Sequence, residues 1–222
     1  MIPIPISDEN PPSRRPVVTI ALIVLNALAW FYELSNGVDQ STLDYGAVPA
    51  LVLHGSVPWT VLTSMFMHGS WLHILGNMWF LWIFGDNVED AMGPAKYLVF
   101  YLLCGVAAAL SQILSQPSST VPMVGASGAI AGVLGAYLML YPHARVRCLW
   151  ILFIIITTVY VPAWLLLGLW FVSQFFMPGP GVAWMAHVGG FAVGFLLVRL
   201  FVARRPPPRR DGFPPLFQRV RS

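Results

Sequence analysis

Long apolar runs, separated by segments that carry almost all of the charged residues, restrict the fold of this chain more than any other feature. Hydrophobic residues make up 57% of the sequence and charged residues 9%, whereas soluble domains have about a quarter of their residues charged. A transmembrane helix needs about 20 largely apolar residues. We therefore predict an all-α membrane protein with six transmembrane helices. The predicted helices cover residues 17–34, 72–85, 97–114, 128–141, 149–176 and 184–203.

These helices form one predicted membrane domain at residues 17–203. A polar, proline-rich segment precedes it at residues 1–16, and a basic tail rich in Pro and Arg follows at residues 204–222. Pro162 lies inside the fifth predicted helix, where a proline is expected to produce a kink. The two cysteines, Cys104 and Cys148, lie in or beside apolar runs and are predicted to be packing residues.

The positive charges predict the orientation of the chain in the membrane. With six spans, all 12 Lys and Arg residues fall on one side, which also holds both termini. Because basic loops stay in the cytoplasm, we predict an integral, multi-pass protein of a bacterial plasma (inner) membrane with both termini cytoplasmic. This placement of the charges favours membrane orientation over nucleic-acid binding.

The fourth predicted helix is short. About 14 residues at ~1.5 Å each span ~21 Å, less than the ~30 Å hydrocarbon core. Its N-terminus is therefore expected below the outer surface, and residues 117–125 must descend into the protein to reach it. The long, partly apolar loop at residues 35–67 is expected to lie on or dip into the outer leaflet.

The short sequence Gly125-Ala126-Ser127-Gly128 stands at this buried helix start. Unpaired backbone N–H groups and the positive end of the helix dipole favour a developing oxyanion there. Small neighbours leave room for a peptide to approach the hydroxyl of Ser127. The alternative is a serine that only caps the helix in a glycine-rich contact.

His187 is predicted near the same end of the membrane as Ser127, just inside the sixth helix. Gly190 and Gly194 share its face, and with Gly128 on the fourth helix they allow close approach of the two backbones. That approach would bring the imidazole to the hydroxyl as a base. A histidine that merely packs against a carbonyl is the alternative. Since no Asp or Glu lies within the apolar cores, the sequence favours a Ser–His dyad over a triad.

His68, His73 and Asn77 lie at the start of the second helix. His73 and Asn77 are four residues apart, so they share one face and can donate hydrogen bonds to an oxyanion. His68 points elsewhere around the helix and is predicted to brace the long loop. A zinc site is the alternative for such histidines, but no carboxylate is at hand, and no metal is predicted.

Taken together, these segments resemble the rhomboid family of intramembrane serine proteases over nearly all of the predicted membrane domain. The matching segments are residues 68–77, 85–89, 125–128 and 186–194.

The resemblance implies a six-helix bundle around a water-filled cavity that opens outward. It implies that Ser127 is the nucleophile and His187 the base, with oxyanion support from His73, Asn77 and the backbone N–H of Ser127, and with Gly125 shaping the site. It further implies an endopeptidase without a cofactor, which cleaves single-span membrane proteins within the bilayer near its outer face.

Two positions differ from the common pattern of that family. Thr60 follows Trp59 where many members have Arg, and Ala131 stands where many members have an aromatic residue that packs against the catalytic histidine. The second difference predicts weaker positioning of His187. A non-catalytic member that binds membrane helices, and a small transporter with proton-relaying histidines, are the other hypotheses.

Overall fold

The computed structural model describes residues 3–152, 155–176 and 182–202. Most of this part of the chain is helical, as a helical membrane protein requires. The elements in chain order are β1 (Ile4–Asp8), α1 (Val17–Asn36), α2 (Val38–Tyr45), α3 (Pro49–Leu53), α4 (Thr60–Thr63) with a 3-10 turn (Ser64–Phe66), α5 (Trp71–Met92), α6 (Pro94–Ser115), α7 (Ser127–Leu140), β2 (Arg145–Leu152), β3 (Ile155–Pro162), α8 (Ala163–Phe176) and α9 (Trp184–Phe201).

Five of the six predicted helices coincide with α1, α5, α6, α7 and α9. The largest difference among them is in α5, which is predicted to end at residue 85 and continues to Met92. Within the described residues, α1, α6 and α9 are long and apolar enough to cross a bilayer, whereas α7 and α8 are shorter apolar helices. The total of six membrane-spanning helices therefore stays a prediction.

The predicted fifth helix, residues 149–176, is wrong in its first half. β2 and β3 occupy that part of the chain and pair antiparallel, with Arg145 opposite Pro162. β3 is rich in Ile, Val and Thr, which favour strands. A continuous apolar run has no periodicity that would separate a buried strand from a helix. Pro162 thus ends β3 and kinks no helix, and α8 begins at Ala163.

A third strand comes from the proline-rich N-terminal segment. β1 pairs antiparallel with β2, with Ile4 opposite Leu149. The prediction of an all-α fold is therefore wrong for this part of the molecule. β1 lies at the edge of the sheet, where proline is tolerated. The indole N–H of Trp79 in α5 donates to the carbonyl oxygen of Pro5 at 2.7 Å, which joins the sheet to the helices.

Asp8 fastens the end of β1 to α5 and α7. Tyr137 and Asn87 both donate to the same carboxylate oxygen of Asp8, and Asn10 donates to the hydroxyl of Tyr137 at 3.2 Å. Burial raises the pKa of Asp8 from 3.8 to about 7, although the hydrogen bond from Tyr137 acts in the opposite direction. The docked segment therefore favours the protonated carboxyl group.

α7 lies at the centre of the helical bundle. All of its residues from Gly128 to Tyr137 are buried, and it contacts α5, α6, α8 and α9. Its 14 residues, Ser127–Leu140, agree with the short helix predicted at residues 128–141.

Glycines allow α7 and α9 to touch backbone to backbone. An added Cβ at Gly190 would overlap the carbonyl oxygen of Gly128, and one at Gly194 would overlap that of Gly132. Likewise, a Cβ at Gly135 would overlap the carbonyl oxygen of Phe191. The predicted close approach is thus present, and it extends along about two turns of α7.

Two buried carboxylates hold α1 at its ends. Glu89 of α5 accepts hydrogen bonds from the backbone N–H groups of Val18 and Thr19 at 2.9 and 2.8 Å, so its charge lies at the positive end of the α1 dipole. At the other end, both carboxylate oxygens of Glu33 accept the backbone N–H of His68 at 3.0 Å. α1 thereby holds both α5 and the loop that precedes it.

The long loop between α1 and α5 is folded into short helices and pairs with the segment that leads into α7. Ala47 and Met123 exchange two backbone hydrogen bonds of 3.0 and 2.9 Å. The backbone N–H of Gly125 also donates to the carbonyl oxygen of Ser64 at 2.8 Å. These bonds satisfy the irregular backbone of both segments, as backbone inside a bilayer would require.

The glycine contacts predict a sharp difference between two alanine substitutions. Gly194→Ala would drive a methyl group into the backbone of α7, so we expect a loss of roughly 1–3 kcal/mol of unfolding free energy from overpacking. Gly168→Ala in α8 is the matched control, since nothing lies within 4 Å of its added Cβ. Thermal unfolding in detergent should show a lower midpoint for the first variant and an equal or higher one for the second.

The raised pKa of Asp8 predicts that docking of β1 depends on pH. The docked carboxyl group binds its proton more tightly than the free one, so docking is strongest below about pH 4 and weakens as the pH rises through about 7. A spin label at Ser7→Cys should become more mobile over this range. Asp8→Asn keeps an acceptor without the charge, and its label should not respond to pH. If the spin label has the same mobility at all pH values in the protein that retains Asp8, the prediction is wrong.

Candidate active site

Ser127 is the first residue of α7. Ala126 precedes it as the helix cap, and its carbonyl oxygen accepts the backbone N–H of Ile130 at 3.0 Å. The N–H groups of Ser127, Gly128 and Ala129 therefore have no partner within the helix. Ser127 therefore stands at the donor-rich start of the helix, the position predicted from the sequence.

His187 lies in the first turn of α9 and reaches across to Ser127. Its Nε2 atom is 2.8 Å from the hydroxyl oxygen of Ser127, which is hydrogen-bonding distance. Because Ser127 begins α7, the glycine contacts between α7 and α9 determine this separation. The structure thus brings the two predicted residues together, with Gly190 and Gly194 packing on the same face of α9.

Two α8 residues that were not predicted also contact His187. The Nδ1 atom of His187 lies 2.7 Å from the side-chain oxygen of Gln174. The ring of Trp170 lies against the imidazole, with ring centroids 5.9 Å apart and planes at 37°. A polar Ser173-Gln174 pair near the end of an otherwise apolar helix is the sequence signal that could have indicated this contact.

His73 lies on the other side of Ser127. An added Cβ on Gly125 would be 2.7 Å from Nε2 of His73 and 3.6 Å from the hydroxyl oxygen of Ser127. The φ angle of Gly125 is +128°, a conformation that side chains rarely adopt. Gly125 thus leaves the space in which His73 approaches Ser127. The backbone N–H of Gly69 donates to Nδ1 of His73 at 3.5 Å, so Nε2 carries the proton of the neutral ring.

His68 is fully buried and braces Asn77. Its Nδ1 atom bonds to the carbonyl oxygen of Phe66 at 3.3 Å and must donate there, so Nε2 accepts the amide N–H of Asn77 at 3.0 Å. Burial lowers the pKa of His68 to about 3, which agrees with this neutral form. Asn77 thus uses one of its two N–H donors on His68 and retains the other.

These residues meet in one cleft of about 970 Å³. Ser127, His187, His73 and Asn77 all line it. The cleft extends between α5 and α8, with Leu72, Gly76 and Phe80 on one side and Trp170 on the other. A separate cavity of about 30 Å³ lies beside Ser127. Its walls are small or apolar and include Gly105, Ala108, Val124, Gly128 and Ala186.

The chemistry of the cleft rests on uncharged groups. In the part of the chain that the structure describes, no three His, Cys, Asp or Glu side chains are grouped as a metal site requires. Among these residues, His187 bonds to a hydroxyl and an amide, and no carboxylate bonds to it. A serine paired with a neutral imidazole, beside further donors, can attack a carbonyl carbon and stabilise the resulting oxyanion.

Comparison with known proteins places this geometry in context. Residues 55–204 match the family described as Rhomboid domain. The chain is 32% identical over 127 residues to Rhomboid protease GluP from Bacillus subtilis (strain 168), which covers 56% of this chain and 24% of that protein. It is 32% identical over 171 residues to RHOMBOID-like protein 6, mitochondrial, from Arabidopsis thaliana, with 72% and 50% covered.

A third relative is similar in length to this chain. Putative rhomboid protease YdcA from Bacillus subtilis (strain 168) is 28% identical over 200 residues, which are 86% of this chain and 90% of that protein. In contrast, the chain spans only a quarter to a third of the first relatives that it matches.

Gly125→Ala tests the space between His73 and Ser127. The added methyl group is expected to displace His73 and to lower the rate at which a serine-reactive phosphonate labels Ser127 by roughly 10- to 100-fold, the usual effect of a misplaced catalytic group. Gly69→Ala is the control, because Gly69 also neighbours His73 but an added Cβ meets nothing within 4 Å. Equal labelling of both variants would contradict this arrangement.

Proposed function

The chain belongs to the rhomboid family, and on that basis we propose that it is an intramembrane serine endopeptidase with a Ser127–His187 dyad. The observation that carries the proposal is the 2.8 Å contact between these side chains at a buried helix start. The family and the apolar helices indicate an integral membrane protein. Its substrates would therefore be membrane proteins, and we infer that they include single-span ones.

In the proposed reaction, His187 removes the proton of Ser127 as the hydroxyl oxygen attacks a peptide carbonyl. The tetrahedral intermediate then collapses, its C–N bond breaks, and the imidazolium returns the proton to the leaving amine. Water, activated by the same imidazole, hydrolyses the acyl-enzyme and releases the second product. The 2.8 Å separation supports direct proton transfer between the two side chains.

The oxyanion would be stabilised by donors from three places. The backbone N–H of Ser127 has no partner within its helix, Nε2 of His73 lies beside Gly125, two residues before the serine, and the second amide N–H of Asn77 is not used by His68. Ser127, His73 and Asn77 all line the same cleft. Such pre-arranged donors, away from bulk water, lower the barrier for acyl transfer.

The shape of the site supports a hypothesis about the substrate. A helix hides its carbonyl groups in hydrogen bonds, so a transmembrane substrate must unwind before Ser127 can reach one. Residues that weaken helices, such as Gly or Pro, would therefore favour cleavage. The small cavity beside Ser127 suits a residue such as alanine on the acyl side of the cut. We infer that the substrate enters sideways through the cleft between α5 and α8.

We further propose six spans, α1 and α5 to α9, in a bacterial plasma membrane with both termini cytoplasmic. Lys96 at the start of α6, and Arg145 and Arg147 in β2, support this orientation, because basic connections remain on the cytoplasmic side. The sheet then lies at the cytoplasmic side. Ser127 lies at the opposite end of α7 and faces the outer leaflet.

Cleavage of a single-span substrate in liposomes tests the proposed function. Ser127→Ala and His187→Ala should each reduce kcat by at least roughly 1,000-fold, as loss of a nucleophile or its base does. Ser35→Ala and His143→Ala are matched controls at exposed positions and should cleave normally. If both dyad variants cleave as fast as the controls, the proposal is wrong.

A further inference from the structure

The contact between α8 and the imidazole of His187 has a defined donor and acceptor. The side-chain nitrogen of Gln174 lies 3.2 Å from the carbonyl oxygen of Trp170, one turn earlier in α8, and 3.4 Å from the hydroxyl of Ser173. A carbonyl oxygen only accepts, so the NH₂ group of the amide must face it. The amide oxygen of Gln174 therefore faces His187.

This orientation determines where the imidazole proton lies. An amide oxygen cannot donate, so Nδ1 of His187 must donate to Gln174 across their 2.7 Å contact. In the neutral ring, Nε2 then has a free lone pair and accepts the hydroxyl proton of Ser127. The opposite tautomer would set two acceptors against each other at Gln174, and its Nε2–H would donate to the oxygen of Ser127, with no lone pair left on Nε2 to accept the hydroxyl proton.

Aromatic contacts hold α8 in the position that this bond needs. Phe171 stacks on Phe191 of α9 with ring centroids 4.6 Å apart, and Phe175 meets Trp184 edge to face at 5.9 Å. Trp170 spans His187 and Phe191, which is one turn further along α9. Gln174 does not line the substrate cleft, so it reaches the reaction only through His187.

We propose that Gln174 is a positioning residue that holds His187 in the reactive tautomer, and that Trp170 supports the ring in place of the aromatic residue absent at Ala131. The proposal rests on the function proposed above. It extends the Ser127–His187 pair by a neutral acceptor from α8, in a site where no carboxylate bonds to the imidazole within the described residues. α8 also forms one wall of the cleft, so movement of α8 away from α9 would remove both supports at once.

Two substitutions of similar size separate positioning from packing. Gln174→Met removes the acceptor, and kcat should fall about 2- to 10-fold with KM unchanged, which corresponds to the loss of one hydrogen bond. Gln174→Glu restores an acceptor and adds a charge that stabilises the imidazolium. It should retain activity, and the acidic limb of its pH profile should move to higher pH. Gln40→Met, on exposed helix α2, is the control and should behave as the unsubstituted protein.

A measurement that needs no substrate cleavage tests the role of Gln174 independently of the proposed protease function. In protein labelled with ¹⁵N-histidine, the His187 signal, identified by its loss in His187→Ala, should show a proton on Nδ1. In Gln174→Met it should show a mixture of tautomers, while the other four histidines report an intact fold. A proton on Nε2 in the unsubstituted protein, or unchanged kcat in Gln174→Met, would overturn the role of Gln174. If the tautomers are as expected but the protein cleaves no substrate, only the proposed protease function is overturned.

Discussion

The contact between the backbones of α7 and α9 is the constraint on which the site depends. Gly128 and Gly132 on one helix face Gly190 and Gly194 on the other, with no space for a side chain between them. In a membrane, helices associate mainly through such close packing, since burial of apolar surface gives little advantage there. The distance between Ser127 and His187 is thus a property of two rigid helices and needs no flexible loop.

Polar contacts position the remaining part of the cleft. Glu33 binds the backbone of His68, His68 binds Asn77, and the preceding turn of α5 carries His73. Each of these bonds joins buried groups that would be costly to leave unpaired. The donors around Ser127 are consequently fixed from one side by α1 and the long loop. From the other side, α8 fixes His187, so the two halves of the site are held by different elements.

The membrane helices and the Ser127–His187 pair could be predicted because hydropathy and residue type carry that information directly. The helix predicted through Pro162 was wrong, because an unbroken apolar run has the same hydropathy in a strand as in a helix. The support of His187 was also missed. Ala131 indicated a missing aromatic contact, but a replacement such as Trp170 comes from another helix, and spacing within one helix cannot show it. The role of Gln174 could not be predicted because its contact with His187 depends on how α8 packs on α9.

The pairing of β1 with β2 has a consequence for biosynthesis. Ile4 leaves the ribosome long before Leu149, its partner in the sheet. The strand therefore stays unpaired while the intervening helices, α1 to α7, are synthesised. Pro5 and the short length of the strand reduce the chance of wrong pairing during that interval. Formation of the sheet is then a late event in assembly, and it closes the first residues of the chain onto the segment that leads into α8.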